Sequence, residues 1–399
     1  MKSDFERRFE ELVREELTRR RLLRRGAAGA LSVSAIAYLA ACGDETSKPK
    51  GGGQAPIKKG TIAKTLFFSN WPLYIDVDDK TKKRPTLDRF QKKYGTKVKY
   101  VEEINDNTEF FGKVRQEYAG GTSGGRDLHV VTDWMCARMK RLGYVHKFDK
   151  AQMPNAVTNI DDAVARPDFD PKREFSMPWQ SGQVGLIYRK DKTGGDLTSI
   201  NDLFDKRFKG KVTMLTEMRD SVGSVLLGEG VPPEKATKDQ VMQAIEKIER
   251  FSKDGQIRRF TGNEYTKDIL KGDSYAILGW SGDAIQLTSD NKNVRFRRPE
   301  DGFMVFTDSM QIPVGAPHAF TAQKMIDFVY DPEIQAAITA YVNYVPPVKG
   351  TKEVLRKSDP ELAEDTLIFP DLAKAHNFKT FSATDEREID EAFQRAMGA

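Results

Sequence analysis

Residues 302–315, "GFMVFTDSMQIPVG", read as a β-strand with one acid in the wrong place. In an extended chain, side chains alternate faces, so Met304, Phe306, Asp308, Met310 and Ile312 share one side while Thr307, Ser309 and Gln311 share the other. Asp308 therefore falls among apolar neighbours, with no basic residue on its own face. A carboxylate in that position must be paired, neutralised or held for a partner that arrives later. The pattern predicts a half-buried strand.

Working outward, strand-like and helical runs alternate from residue 62 onward, which is the α/β pattern. "KTLFFSNW" predicts a strand, "TLDRFQKKYG" an amphipathic helix closed by Gly95, and "TKVKYVEE" the next strand. "NTEFFGKVRQEYAGG" predicts a helix, "DLHVVT" a buried strand and "DWMCARMKRLGYV" another helix. A second set follows from "GQVGLIYRKD" to "SYAILGWSGDAIQL", and helix returns in "TAQKMIDFVYDPEIQAAITAYVNY". Such repeats imply a mainly parallel sheet, with ligands beyond the carboxyl ends of its strands. Two sets without a long linker predict two lobes facing one cleft, a favoured place for a small molecule. The expected division is 62–182 with 306–355 for one lobe and 183–305 with 356–399 for the other. The chain would change lobe inside the opening stretch.

The whole chain sets bounds on partners. Its 64 Lys and Arg against 59 Asp and Glu give a net charge of +5, and more than half of that surplus precedes residue 42. So mild a surplus argues against nucleic acid. The four histidines are scattered and no HExxH or CxxC spacing occurs, so neither a metal nor another cofactor is expected.

The N-terminus has the order of an export signal. Five arginines (Arg19, Arg20, Arg21, Arg24, Arg25) precede sixteen mostly small or apolar residues, 26–41, which are too few for an ordinary membrane span. "TRRRLL" looks like a twin-arginine export motif, and "LAAC", ending at Cys42, looks like a lipobox. Residues 1–41 would then be an export signal and 42–61 a flexible tether, with lipid on Cys42 holding the protein to the outer face of the cell membrane. A weak membrane helix with an incidental cysteine is the alternative reading. Acylation of Cys42 would leave Cys136 alone, with no intrachain disulfide to form.

Acids and aromatic rings collect at predicted strand exits. Trp71 and Tyr74 follow the first strand; Glu217 and Asp220 stand three apart at a strand-to-helix junction, as do Trp280 and Asp283; Phe306 and Asp308 share one strand face. Trp134 and Tyr344 hold similar positions. Each has a plainer reading. Glu217 and Asp220 suit the positive end of a helix, Asp283 suits a helix cap, and Trp71, Tyr74 and Trp280 suit packing. Taken together they suit an organic cation, because rings attract ammonium groups and cover methylene chains while carboxylates fix the N–H donors.

At these segments the sequence resembles the spermidine/putrescine-binding proteins of bacterial ABC importers. The likeness covers residues 66–349 and rests on "FFSNWPLYI", "DLHVVTDWMCARMKRLG", "FSMPWQSGQVGLIYRKD", "SINDLFDKRFKGKVTMLTEMRD", "GWSGDA", "GFMVFTDSMQIPVGA" and "NYVPPVKG", in family order. It implies a type II periplasmic-binding fold, two α/β lobes joined by hinge strands around an interlobe ligand cleft. It also implies a monomer that delivers a polyamine to membrane permease subunits. By the likeness, Trp71, Tyr74 and Trp134 would wall the ligand from one lobe. Glu217 and Asp220 would receive an amine from the other, Trp280 would pack on the methylene chain, and Asp283, Phe306, Asp308 and Tyr344 would complete the site. Two departures stand out: Pro72 and Leu73 replace a polar position, and residues 379–381 offer no clear counterpart to a late polar ligand residue.

Rival readings are an amine-sensing receptor component, ferric iron capture, and a secreted hydrolase using residues 121–125, which match G-x-S-x-G near Asp127 and His129. A nucleophile elbow follows a strand and opens a helix. Here a helix precedes it and a strand follows, so a Gly-rich connection is expected and catalysis is not.

Overall fold

The computed structural model describes residues 55–78 and 80–398, so the arginine-rich leader, Cys42 and most of the tether lie outside the described residues. The chain first lays down β1 (Thr65–Asn70), α1 (Pro85–Tyr94), β2 (Lys97–Glu102), α2 (Asn107–Ala119), β3 (Leu128–Thr132) and α3 (Asp133–Arg141). The long strand β4 (Met177–Arg189) follows. Next come β5 (Val212–Leu215), α4 (Met218–Gly228), α5 (Lys238–Lys253), β6 (Ile257–Thr261), α6 (Tyr265–Lys271), β7 (Ala276–Trp280), α7 (Ser281–Asp290) and β8 (Val294–Arg297). Then β9 (Phe303–Gln311), α8 (Ala319–Val329), α9 (Pro332–Val342), a two-residue β10 (Ala375–His376) and α10 (Ala383–Met397) complete the longer elements.

Local chemistry sets the helix ends. Pro85 opens α1, whose Gly95 takes φ 71° and sends its N–H to the Gln91 carbonyl. Asp106 caps α2 by accepting from the N–H groups of Thr108 and Glu109. Thr237 and Gln240 cap α5 reciprocally.

The strands run β2-β1-β3-β9-β4-β7-β5-β6, with β8 on β4 and β10 on β9. β1 is parallel to β2 and β3, and β5 is parallel to β6 and β7, so two parallel triads flank an antiparallel pair, β9 and β4. β4 changes partner midway: Met177 to Gln183 face β9, whereas Val184 to Arg189 face β7 and β8. The result is two α/β lobes joined by crossing strands, the type II periplasmic-binding arrangement.

Residues 303–311 form a strand as the alternation predicts, half-buried at Val305 to Thr307 but buried throughout from Asp308 onward. Lying between β3 and β4, it is covered on both faces from Asp308 to Ile312, and Ser309 and Gln311 are fully buried. Their donors are satisfied inside the protein, while Gln311 Oε1 is left without a partner. Ser309 Oγ donates to Asp133 Oδ1 (2.5 Å), and Gln311 Nε2 donates to the carbonyls of Cys136 and Phe175.

One core packs Leu186, Ile187, Met214, Val222, Ile277 and Leu278 against Ile389 and Phe393 of α10. Phe393 meets Phe260 edge to face with ring centres 6.0 Å apart. The last helix is thus bonded into the second triad by burial. Phe393→Ala should destabilise the protein by about 3–5 kcal/mol, measured by urea unfolding; a loss below about 1 kcal/mol would contradict this packing.

Candidate functional site

A cavity of about 460 Å³ opens beyond the carboxyl ends of β1, β3, β5 and β7. All ten ring and acid residues singled out in the described chain line it: Trp71, Tyr74, Trp134, Glu217, Asp220, Trp280, Asp283, Phe306, Asp308 and Tyr344. They arrive from both triads and from the crossing strand β9.

Asp308 is buried and held at both carboxylate oxygens. Its register partners are Thr132 on β3 and Gln180 on β4. Tyr74 Oη donates to Oδ2 at 2.9 Å and Thr132 Oγ1 donates to Oδ1 at 2.7 Å. Tyr74 is itself held from behind, where Trp179 Nε1 donates to its carbonyl at 3.1 Å. Asp283 accepts from Tyr265 Oη at 2.5 Å and from Tyr344 Oη at 3.4 Å. It does not cap α7: the cap position belongs to Trp280, whose N–H goes to Tyr265 Oη (3.0 Å). Asp220 accepts from the Trp280 indole at 2.8 Å.

Glu217 combines two roles. It caps α4, accepting from the Arg219 N–H at 3.4 Å, so the helix-end reading of this acid holds locally. It also accepts from Asn107 Nδ2 (3.1 Å) and the Trp134 indole (3.2 Å), bonds that reach across from the other triad. The Arg219 guanidinium stacks over Trp134, 3.9 Å from the ring centre, and meets Glu386 at 3.4 Å.

The rings form a continuous wall. Tyr74 meets Tyr344 (5.2 Å), Tyr344 meets Phe306 (6.3 Å), Phe306 meets Trp280 (6.2 Å), and Trp280 meets Tyr265 (5.8 Å), all edge to face. Two glycines make room for it. A Cβ on Gly282 would stand 2.1 Å from the Tyr344 ring, and one on Gly182 would stand 2.4 Å from Phe306. Trp71 turns its indole N–H to the Val130 carbonyl (3.1 Å), so only its body faces the cavity.

Among the described residues, Asp308 and Asp283 have no ion-pair partner, whereas Glu217 meets the Arg219 guanidinium at 4.0 Å. Burial pushes Asp308 up to about 7, against the hydrogen bonds from Thr132 and Tyr74. Burial likewise lifts Asp283 to about 6. Glu217 and Asp220 are also raised, first by burial, then by neighbouring carboxylates.

Sequence reasoning missed Asn107, Thr132, Arg219 and Tyr265. Arg219, a cation between two acids in "TEMRD", was a readable signal; Tyr265 carried none. Residues 377–380 also reach the cavity wall, where no late polar counterpart was expected. The G-x-S-x-G loop lies elsewhere: Ser123 donates to the Gly315 carbonyl (3.3 Å), Asp127 binds His318 (3.1 Å), and His129 rests against Tyr118. Cys136 is a buried free thiol.

Two lobes, crossing strands and a deep polar–aromatic cavity at the strand ends define a solute-binding protein. The chain belongs to the bacterial extracellular solute-binding proteins, whose family profile matches residues 86–370. Among its relatives, the spermidine/putrescine-binding periplasmic protein of Escherichia coli is 23% identical over 314 residues, covering 78% of this chain and 85% of that one. The putrescine-binding periplasmic protein SpuD of Pseudomonas aeruginosa is 27% identical over 369 residues, covering 86% and 95%. A Listeria monocytogenes structure assigned to spermidine/putrescine ABC transport superposes with a TM-score of 0.73 at 26% identity, covering 84% of this chain and 99% of that one.

The raised carboxyls carry a sign for stability. A folded pKa of about 7 against about 4 unfolded means that Asp308 costs no stability at low pH, progressively more as pH rises from about 4 to about 7, and a constant amount above that. Asp308→Asn removes that loss. The stability of the variant minus that of the wild type should therefore grow from pH 5 to pH 8 in urea unfolding without ligand. A constant difference would contradict the burial of an unpaired acid.

Proposed function

We propose that the protein is the substrate-binding lipoprotein of an ABC importer and captures a small polyamine such as putrescine or spermidine. The observation that carries this reading is Asp308, a buried carboxylate that faces the cavity and is met there by neutral hydroxyls. An incoming ammonium supplies the missing charge, while Asp220 and Asp283 take further N–H groups. Trp280, Phe306 and Tyr344 cover the methylenes, and Trp71, Tyr74 and Trp134 close the opposite wall. Glu217, bonded to Trp134 and Asn107, joins the two walls. Names of relatives from Escherichia coli and Pseudomonas aeruginosa point the same way.

The mechanism involves no bond chemistry and no cofactor. Ligand contacts groups of both lobes at once, so it binds the closed form better and shifts the population toward it. The closed form then docks on the permease. The proposed lobes are 62–182 with 306–355, and 183–305 with 356–399; the change of partner along β4 between Gln183 and Val184 supports that boundary. Lipid on Cys42 of an exported monomer would hold it at the outer face of the membrane. No helix among the described residues is long and apolar enough to cross a membrane.

Asp308→Asn should weaken putrescine binding by more than tenfold in titration calorimetry with the fold intact; equal affinity would contradict the site. Cys42→Ala should move the protein from the membrane fraction to the soluble fraction. Unchanged membrane retention would remove the lipid anchor.

A further inference from the structure

Beside Asp308 the cavity wall contains an acid that is already neutralised. Asp133, the first residue of α3, sits directly after Thr132, whose hydroxyl holds Asp308. Arg173 grips it with a two-pronged bond, Nη1 to Oδ1 at 3.1 Å and Nη2 to Oδ2 at 3.0 Å. Both residues line the cavity.

Arg173 is an unusual place for an arginine. It is 2% exposed, and its φ of 47° is a conformation that long side chains rarely adopt. The surrounding loop is built to impose it. Asp170 accepts from the N–H groups of Glu174, Phe175 and Ser176 and from Ser176 Oγ, while its own carbonyl receives the Arg173 N–H. The guanidinium also donates to the Val164 carbonyl and to Ser176 Oγ. Ser309, next to Asp308 on β9, donates to Asp133 at 2.5 Å. A backbone outlier this strongly over-determined marks a functional constraint rather than chance.

We propose that Arg173 is a positioning residue for ligand capture: it holds Asp133 as a closed ion pair, so that Asp308 alone on this wall receives the ligand's ammonium. Two carboxylates flanking Thr132 would otherwise compete for one proton or one amine. With Arg173 in place, Asp133 is served by a permanent cation, because a guanidinium does not deprotonate. The groups that interact with Asp308 are then Tyr74, Thr132 and Tyr344, the Asp133–Arg173 pair at the end of β3, Asp220, and the buried Cys136 thiol. This inference rests on the polyamine reading.

The test is the pH dependence of putrescine affinity, measured by calorimetry on the full chain from pH 5 to 9. The readout is the pH at which affinity reaches half its plateau. Arg173→Met, leaving Asp133 unpaired, should raise that midpoint by about one unit or more. Asp133→Asn, leaving Arg173 unpaired, should lower it. The double variant should return close to the wild type. Loss of structure alone predicts no opposite shifts and no return, and because Asp133→Asn preserves shape it tests the proposal even if Arg173→Met does not fold. Midpoints that stay fixed in both single variants, with binding retained, would overturn the role of Arg173. A wild type that binds no amine at any pH would instead overturn the polyamine reading, and this inference with it.

Discussion

The cleft depends on carboxylates buried without a fixed cation of their own. Other acids show the alternative among the described residues: half-buried Glu103 has Arg126, half-buried Asp133 on the cavity wall has Arg173, and buried Asp170 accepts from a row of backbone N–H groups. Around the cavity, Asp308, Asp283 and Asp220 instead have tyrosine, threonine and tryptophan donors, which orient a carboxylate without cancelling its charge. Such groups are stable only if they take up protons or if a cation arrives. Folding stability is lowered locally so that binding can restore it.

The sheet explains how distant residues meet there. β9 and β4 run antiparallel through the middle and hand the chain from one parallel triad to the other, placing Phe306 and Asp308 where both triads end. Rings then need space that only a missing side chain provides. Gly182 lies opposite Phe306, and Gly282 follows Ser281 at the start of α7, so each glycine admits a ring that a methyl would displace. Glu217 bonds to Trp134 and Asn107 in the facing lobe, and Arg219 stacks on the same Trp134. These contacts join the two walls at one rim.

Much of this was legible in residue order. The alternation of strands and helices predicts the α/β layers, and the acids and rings at strand exits predict one cavity, because side chains at those exits necessarily face the same edge of a parallel sheet. The full burial of 308–311 was not legible. Alternation on one face speaks of one covered side, and the hydrogen bonds that let Ser309 and Gln311 be buried come from residues far away in the chain. Tyr265 was invisible for a similar reason: a tyrosine in a short helix gains its role only when its hydroxyl reaches both Asp283 and the Trp280 backbone. Arg173, in "DPKREF", carries no signal in residue order. Its meaning depends on a loop conformation that spacing does not encode.

Carboxyls raised by burial hold protons in the empty cleft that a cationic ligand must displace. Calorimetric titration with putrescine at pH 6.5, repeated in buffers of different ionisation enthalpy, measures that directly. The account requires release of on the order of one proton per ligand bound, seen as a buffer-dependent heat. Heats independent of the buffer, with binding intact, would mean that the carboxylates are already ionised in the empty protein, and the account would be wrong.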